Sequence, residues 1–409
     1  MESPNSLIAQ PPHPHTPTPN PHFAGGVWLL ALAMLLVLCG LCSALFYVVL
    51  PFVSRTPASG IQSNVIFGST AGFGLVFGVL IFWQGLNAVR GRGSISAARA
   101  FPHLIVFVFA FLGAILLGLG ALAIQPIAAY AFPPWHFIAA LLPPLGLLAY
   151  GAHRLGQSSG LRALLVSFSW GALVATSVAF IVEILIALVL VIVAAVIITS
   201  LPNSRALLEQ MQAQLRLAQR TQDFSALSQW FAHPAVMAGV LVYFAVIVPP
   251  LEEAVKALVV AFINPKQTRA ADAMLWGMAA GAGFAVIENM FNASVALMAW
   301  APLVLLRVGA AIVHVANGAN MGRGWYAARV EGRWGQLFIA YLVSVLYHAL
   351  WNGTAIVLSN NGLTGMSNPS VALASTILTG ALLLVLLILA SLGLVWIVYQ
   401  VSKQRKENA

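Results

Sequence analysis

Long runs of apolar residues, separated by short polar segments, repeat along most of the chain. Each run is close to or above the roughly 20 residues that a helix needs to cross a bilayer, and each therefore predicts a membrane-spanning helix. The ten runs cover residues 27–53, 63–88, 101–124, 135–152, 163–200, 236–263, 273–299, 302–321, 337–358 and 371–400. The pattern predicts an all-α, polytopic bundle of about ten transmembrane helices.

The fifth run, residues 163–200, is too long for one ordinary span. A helix of its 38 residues would be about 57 Å long, so it is either one long tilted helix or two spans. Basic residues favour cytoplasmic loops. One long helix, with a cytoplasmic N-terminus, places thirteen of them inside and four outside, whereas two spans place eight inside and nine outside. The thirteen are Arg90, Arg92, Arg99, Arg154, Arg162, Lys266, Arg269, Arg323, Arg329, Arg333, Lys403, Arg405 and Lys406, and the four are Arg55, Arg205, Arg216 and Arg220. This bias predicts ten spans with both termini in the cytoplasm.

Three segments outside the spans have distinct compositions. Residues 1–24 contain seven prolines and three histidines without apolar periodicity, which predicts a disordered tail. Residues 201–235 place apolar residues at helical spacing and predict an amphipathic extracytoplasmic segment, either a surface strap or a substrate gate or partner-docking element. Residues 401–409 form a basic cytoplasmic tail. Two groups of five spans remain, residues 25–200 and 236–400.

The composition agrees with an integral membrane protein. Hydrophobic residues make up 60% of the chain and charged residues only 7%, and the mean hydropathy is +0.92, which excludes an ordinary soluble domain. The net charge of +9 does not indicate nucleic-acid binding, because the basic residues lie in short loops where they set orientation. The two cysteines, Cys39 and Cys42, are expected to pack as small apolar residues.

Two adjacent carboxylates and a lysine interrupt the sixth run, in the segment Pro249-Pro250-Leu251-Glu252-Glu253-Ala254-Val255-Lys256. An ionised side chain at a helix centre costs roughly 2.5 to 3.5 kcal/mol, so such residues usually mark a proton, ion or catalytic site. Helical spacing places Lys256 beside Glu252 and Glu253, and one of the carboxylates becomes a candidate general base or acid. A structural ion pair is the alternative. The two prolines must disturb the helix, which a protein-lined or hydrated cavity tolerates.

Three further runs carry a carboxylate or an imidazole within the span, namely Glu288, His314 and His348. Counted from the predicted cytoplasmic ends, these residues and Glu252 lie at about 10 to 22 Å depth, so four helices deliver polar groups to one level. A buried residue satisfied by its own surroundings is the alternative for each of them. Small residues before Glu288 allow close helix packing; they are Gly277, Gly281 and Gly283.

Further polar residues on these runs are candidates for a supporting role, namely Lys256, Asn289, Arg307 and Asn317. Two histidines and one glutamate are also the ligand count of a hydrolytic zinc site, and Glu288, His314 and His348 would be the ligands if a metal is present. The usual signature of two histidines at i,i+4 around a glutamate is absent. Glu183, in the fifth run, has no local partner and is expected to be structural.

Together these residues carry a family resemblance. The motifs Glu252-Glu253-x-x-Lys256, Phe284-x-x-x-Glu288-Asn289, His314 and His348-x-x-Trp351-Asn352 resemble the four motifs of the PrsW family of intramembrane proteases. The resemblance covers residues 249–352 and not the first five spans. It implies site-1 cleavage of membrane-anchored anti-sigma factors, and thus bacterial stress signalling at the inner membrane.

A wider similarity extends to the CAAX prenyl proteases of the ABI type, whose motifs are Glu-Glu-x-x-x-Arg, Phe-x-x-x-His and His-x-x-x-Asn. This similarity implies that Glu252 activates the attacking water, and that His348 and Asn352 stabilise the oxyanion. Lys256 stands one residue earlier than that family's arginine, and Glu288 replaces its histidine. Both departures favour the PrsW family and leave the role of Glu288 open.

The sequence thus predicts an intramembrane endopeptidase that cleaves membrane-anchored proteins. The expected catalytic residues are Glu252, Glu253, Glu288, His314, His348 and Asn352. Water activated by a carboxylate pair requires no cofactor, but relatives have been described both as metalloproteases and as glutamic proteases, so zinc stays an open alternative. A proton- or ion-coupled transporter, which also needs polar groups and a broken helix near the midplane, is the main rival. A non-catalytic scaffold that binds transmembrane helices is a third interpretation.

Overall fold

The computed structural model describes residues 23–53, 57–155, 159–199, 204–221, 234–262, 264–294, 297–364 and 369–407. These residues are almost entirely helical and contain no β-strand, which confirms the all-α prediction. Most of the predicted disordered tail, residues 1–22, and the second part of the predicted amphipathic segment, residues 222–233, lie outside the described residues.

The described α-helices are numbered here in chain order. They are α1 (Phe23–Val53), α2 (Pro57–Val89), α3 (Ala97–Ala100), α4 (Leu104–Ala123), α5 (Gln125–Leu155), α6 (Leu161–Ser169), α7 (Thr176–Thr199), α8 (Ser204–Thr221), α9 (Pro234–Leu241), α10 (Val248–Lys256), α11 (Ala270–Asn292), α12 (Trp300–Arg329), α13 (Trp334–Thr364) and α14 (Pro369–Glu407). Shorter π-helical and 3-10 segments join some of them.

Ten helical stretches among the described residues are long and apolar enough to cross a membrane, as the hydrophobic pattern predicted. The fifth is a single stretch, Leu161–Ile197. It consists of α6, a π-helical turn at Trp170–Ala175 and α7, which follow one another without interruption. The prediction of one long fifth helix, made from the distribution of basic residues, is therefore confirmed.

Two local predictions differ from the structure. Helix α5 begins at Gln125, ten residues before the predicted run, and continues through Pro133 and Pro134. Prolines are tolerated in membrane helices because neighbouring helices can satisfy the freed backbone groups. Cys39 and Cys42 are free thiols on the exposed side of α1, so they do not pack in the interior as expected.

Helix α11 lies inside the bundle, because 83% of the residues in its most apolar segment are buried. Three of its glycines lie against the backbone of neighbouring helices, where a Cβ atom would collide with a carbonyl oxygen. Gly277 faces Gly318 of α12, Gly281 faces His314 of α12, and Gly283 faces Phe168 of α6. The predicted close packing is confirmed, and it fixes the position of the His314 backbone.

The sixth span is broken into four pieces around the proline pair. Helix α9 leads into a π-helical turn, Val242–Ile247, followed by α10 and a 3-10 segment, Leu258–Phe262. The N–H of Val248 donates to Tyr243 O, five residues earlier. Pro249 has no N–H and cannot supply the next such bond, so Phe244 O needs another donor. Asn352 Nδ2 of α13 lies 3.1 Å from Phe244 O and supplies it.

A second cross-helix bond supports the same segment. The hydroxyl of Tyr341, on α13, donates to Pro250 O at 3.0 Å. Side chains of α13 thus satisfy backbone carbonyls on both sides of the break, and they set where α10 begins. The carboxylates of Glu252 and Glu253 follow within the next turn.

Candidate active site

Lys256 lies at the centre of a buried polar cluster. Its Nζ atom is 2.9 Å from Glu253 Oε1 and 3.3 Å from Glu252 Oε2, so both predicted ion pairs are present. The same ammonium lies 2.8 Å from His314 Nδ1 and 4.2 Å from the centroid of the Phe284 ring, a distance suited to a cation–π contact. The Lys256 side chain is only 1% exposed. An ammonium at this depth is stable only because its partners replace the lost water.

His348 brings α13 into the cluster. Its Nδ1 atom is 2.9 Å from Glu253 Oε1, and its Nε2 atom is 3.7 Å from Glu252 Oε2. The rings of His348 and His314 meet edge to face, with centroids 5.0 Å apart. Residues from α10, α12 and α13 thus converge on one point, as their similar predicted depths indicated.

Glu288 and Arg307 form an outer layer behind His314. Glu288 Oε2 lies 2.5 Å from His314 Nε2 and 2.7 Å from Arg307 Nη2. Arg307 Nε also donates to Asn289 Oδ1 at 2.8 Å, and Asn289 Nδ2 donates to Ala140 O at 3.2 Å. The guanidinium therefore connects the carboxylate behind His314 to the packing between α11 and α5.

The contacts determine the tautomers of both histidines. An ammonium is a donor only, so His314 Nδ1 must carry a lone pair and its Nε2–H donates to Glu288. In neutral His348, Nδ1–H donates to the Glu253 carboxylate, and Nε2 carries the lone pair. Each imidazole thus donates to a carboxylate on one side. The lone pair of His314 accepts from Lys256, and that of His348 faces Glu252.

This arrangement fits a divalent metal ion. Ligand atoms of Glu252, His314 and His348 lie within 4.8 Å of one another, and all three residues are buried. One carboxylate and two imidazoles match a hydrolytic zinc site. The carboxylates of Glu288 and Glu253, which accept the other ring N–H groups, are the outer partners that metal-binding histidines usually have.

The group differs from the expected ligand set in its carboxylate. Glu288 was the carboxylate assigned to the ligand set if a metal is present, but it binds the Nε2 side of His314 and pairs with Arg307. Glu252 occupies the position that faces both imidazoles. The sequence indicates the depth of Glu288 but not on which side of His314 it lies.

In the part of the chain that the structure describes, two candidate residues and Glu183, which was expected to be structural, form no hydrogen bond to the central carboxylates. Asn352 Nδ2 donates to Phe244 O, and Asn317 Nδ2 donates to Ser344 O at 2.9 Å. The Oε1 atom of Glu183 is buried without a hydrogen-bond partner among the described residues. Asn352 and Asn317 therefore support the helices that carry the cluster.

Contacts of two aromatic residues were not predicted. Trp170, in the π-helical turn of the fifth stretch, donates from Nε1 to Val255 O at 3.1 Å and so holds the residue before Lys256. Phe284 supplies the ring beside the Lys256 ammonium. Phe284 belongs to the second motif, but that motif gives its ring no role, and Trp170 has no distinguishing sequence signal because tryptophan is common in apolar helices.

Among the described residues, the ten helical stretches long and apolar enough to cross a membrane, together with a buried carboxylate and imidazole centre, define a polytopic membrane protein with the donor groups of a hydrolase. A family model described as PrsW family intramembrane metalloprotease matches residues 159–379, more than half of the chain. The chain belongs to the PrsW family and is an intramembrane peptidase. A search of curated proteins and a search of solved structures each found no match.

The family match extends beyond the four motifs. It begins at residue 159 and includes the fifth apolar stretch, Leu161–Ile197, which the resemblance over residues 249–352 left out. Trp170 belongs to this additional part and contacts the segment that carries Glu252. The family-specific unit is therefore larger than the motifs alone indicate.

Proposed function

We propose that the protein hydrolyses a peptide bond of a membrane-anchored substrate at the cluster of Glu252, Glu253, Lys256, His314 and His348. The observation that carries the proposal is the arrangement around Glu253. Its Oε1 atom is fixed by Lys256 and His348 at 2.9 Å each, whereas its Oε2 atom is buried and has no hydrogen-bond partner among the described residues.

Glu253 is the proton acceptor in this proposal. A carboxylate that is oriented through one oxygen and free at the other is suited to take a proton from an attacking water. His348 helps to orient it by donating Nδ1–H. The residues alone left Glu252 and Glu253 as alternatives for this role, and the wider similarity implied Glu252. The contacts support Glu253 instead, because Glu252 faces the two imidazoles.

Glu252, His314 and His348 would hold a divalent ion, which supplies Lewis acidity toward the substrate carbonyl when bound. Glu288 orients His314, because its Oε2 atom lies 2.5 Å from His314 Nε2. Arg307 Nη2 lies 2.7 Å from the same oxygen and holds the Glu288 carboxylate in place. Whether Asn352 stabilises the oxyanion, as the wider similarity implies, stays a prediction. In the structure its amide supports the broken helix instead.

The substrate proposed is a membrane-anchored regulatory protein of the anti-sigma type, and the location is the bacterial inner membrane with both termini in the cytoplasm. Family membership supports the first part. The excess of basic residues in the loops predicted to be inside supports the orientation.

The test is N-terminal peptide profiling of membranes from cells that produce the wild type or Glu252→Gln at matched levels. Glu331→Gln is the control, because Glu331 lies in the loop after α12 and pairs with Arg323 and Arg333. New cleavage sites within or beside membrane spans should appear with the wild type and the control, and disappear with Glu252→Gln.

Identical profiles for the folded wild type and Glu252→Gln, with candidate substrates expressed, would overturn the proposed cleavage. Proton-flux measurements in proteoliposomes would then compare the two proteins. A flux that depends on Glu252 supports a transporter, and no flux supports a scaffold that binds transmembrane helices.

A further inference from the structure

We propose that Lys256 is an internal cation that competes with the metal ion for the same ligands, so that the two bind in a mutually exclusive way. This inference rests on the proposed function, because it takes Glu252, His314 and His348 as the metal ligands. It concerns the contacts of the ligand residues in the metal-free protein and the affinity of the site for the metal ion.

The lone pair of His314 is the first point of competition. His314 Nε2–H donates to Glu288, and His314 Nδ1 accepts from the Lys256 ammonium at 2.8 Å. An imidazole in this tautomer has a single lone pair. Lys256 occupies it, and a metal ion gains this ligand only when the ammonium moves away.

Glu252 is the second point of competition. Its Oε2 atom lies 3.3 Å from Lys256 Nζ, so the ammonium contacts two of the three ligand residues. A divalent ion bound to the same residues at about 2.0 to 2.2 Å would lie within a few ångströms of the ammonium. Two positive charges at such a distance repel strongly in a buried site.

The structure also provides a place for the displaced ammonium. Lys256 has two partners outside the ligand set, namely Glu253 Oε1 at 2.9 Å and the face of Phe284 at 4.2 Å. Loss of the contacts to His314 and Glu252 leaves both in place. A small movement of a flexible side chain therefore opens the ligand positions without moving a helix.

The consequence is a centre whose negative charge is partly compensated in the absence of metal. Glu252 and Glu253 are adjacent and buried, and without a cation their mutual repulsion and lost hydration would oppose folding. Lys256 fills this role during insertion, and it lowers the metal affinity of the finished site. It acts as a positioning residue, since it works through the ligands.

The experiment measures zinc affinity of the purified full-length protein in detergent, by competition with a chromophoric zinc chelator at one fixed pH. Lys256→Met keeps the length of the side chain and removes its charge, and it should bind zinc about tenfold more tightly or better, because the competing charge is gone. Lys256→Arg keeps a cation and should bind zinc no more tightly than the wild type. Lys266→Met is the control, since Lys266 is exposed in the loop before α11.

Thermal unfolding gives a second readout that needs no catalysis. Zinc should raise the unfolding temperature of Lys256→Met more than that of the wild type, since the variant lacks its internal cation. Equal zinc affinity for the wild type and Lys256→Met would overturn the proposal, as would tighter binding by Lys256→Arg. If Lys256→Met does not fold, Lys256→Gln, which also lacks the charge, takes its place in both measurements.

Glu252→Gln distinguishes a failure of the metal-ligand assignment from a failure of the competition by Lys256. If the wild type binds zinc and Glu252→Gln does not, but Lys256→Met resembles the wild type, the ligand set stands and the competition fails. If neither the wild type nor Lys256→Met binds zinc, both the metal assignment and the competition are overturned. Loss of cleavage in Glu252→Gln would still support a peptidase in that case.

Discussion

Glu253 and His348 are separated by 95 positions in the chain, yet Glu253 Oε1 and His348 Nδ1 lie 2.9 Å apart. This contact joins the broken sixth span to α13 inside the protein. Among the described residues the second oxygen of Glu253 has no hydrogen-bond partner, and the second nitrogen of His348 is directed toward Glu252. One polar atom of each residue therefore orients the other residue, and the second polar atom of each is available for the reaction.

Glutamine substitutions should separate the roles of the adjacent carboxylates. Glu253→Gln should lower the rate of cleavage by about 10² to 10⁴, the usual contribution of a general base, while bound zinc stays within a few-fold of the wild type. Glu252→Gln should lose both zinc and activity. Metal content by mass spectrometry and cleavage of a transmembrane reporter would measure the two quantities. A Glu253→Gln protein with wild-type activity would show that Glu253 is not the base.

Gly281 should tolerate no side chain, because it lies against the carbonyl of His314. Gly281→Ala should lower stability by about 1 to 3 kcal/mol, as overpacking does, and should reduce cleavage by displacing His314. Gly393→Ala is the matched control, since Gly393 lies in α14 and an added Cβ there would have no described atom within 4 Å. The unfolding temperature and the rate of reporter cleavage should fall in Gly281→Ala and not in Gly393→Ala. Equal values for the two variants would show that the close approach at Gly281 is not required.

Asn352 should contribute to stability as well as to activity. Asn352→Leu removes the donor to Phe244 O, and a carbonyl left without a donor inside a membrane span should cost about 1 to 3 kcal/mol. The unfolding temperature should fall, and Tyr341→Phe, which removes the donor to Pro250 O, should show a similar fall. An unchanged unfolding temperature in Asn352→Leu, together with lost cleavage, would instead favour a role confined to the oxyanion.

Two buried histidines should respond differently to substitution. His136 accepts from Trp300 Nε1 at 2.9 Å and binds Met290 O at 2.9 Å, with no carboxylate among these partners. His136→Leu should lower stability by about 1 to 3 kcal/mol for each group left unpaired, and the folded fraction should cleave the reporter normally. His314→Leu should abolish cleavage. Activity assays below the unfolding temperature test this, and a folded but inactive His136→Leu would place His136 in the reaction.

The number of spans was predictable because it depends on local hydrophobicity, which each apolar run carries by itself. The convergence of Glu252, His314 and His348 was predictable in part, because depth in the membrane follows from counting residues along each helix. Counting does not give the rotation of a helix about its axis. For that reason Glu288 was expected beside both histidines, and the structure places it behind one of them.

The contacts of Asn352 could not be derived from the sequence for a different reason. Helical spacing places Asn352 on the face of His348, which suggests a shared role. The donor to Phe244 is needed only because a π-helical turn precedes Pro249, and that turn depends on how the proline pair packs against α13. Such irregular geometry has no periodicity that a sequence pattern can reveal.

The hydrogen bond from Trp170 to Val255 O has a consequence for how this peptidase can be divided. The fifth stretch holds the backbone beside Lys256, and its Phe168 carbonyl fills the space that Gly283 leaves open. The last five spans alone are thus not an independent unit that can be transferred between proteins with its activity. Their chemistry depends on a helix from the first half of the chain, and only units that keep this helix are interchangeable.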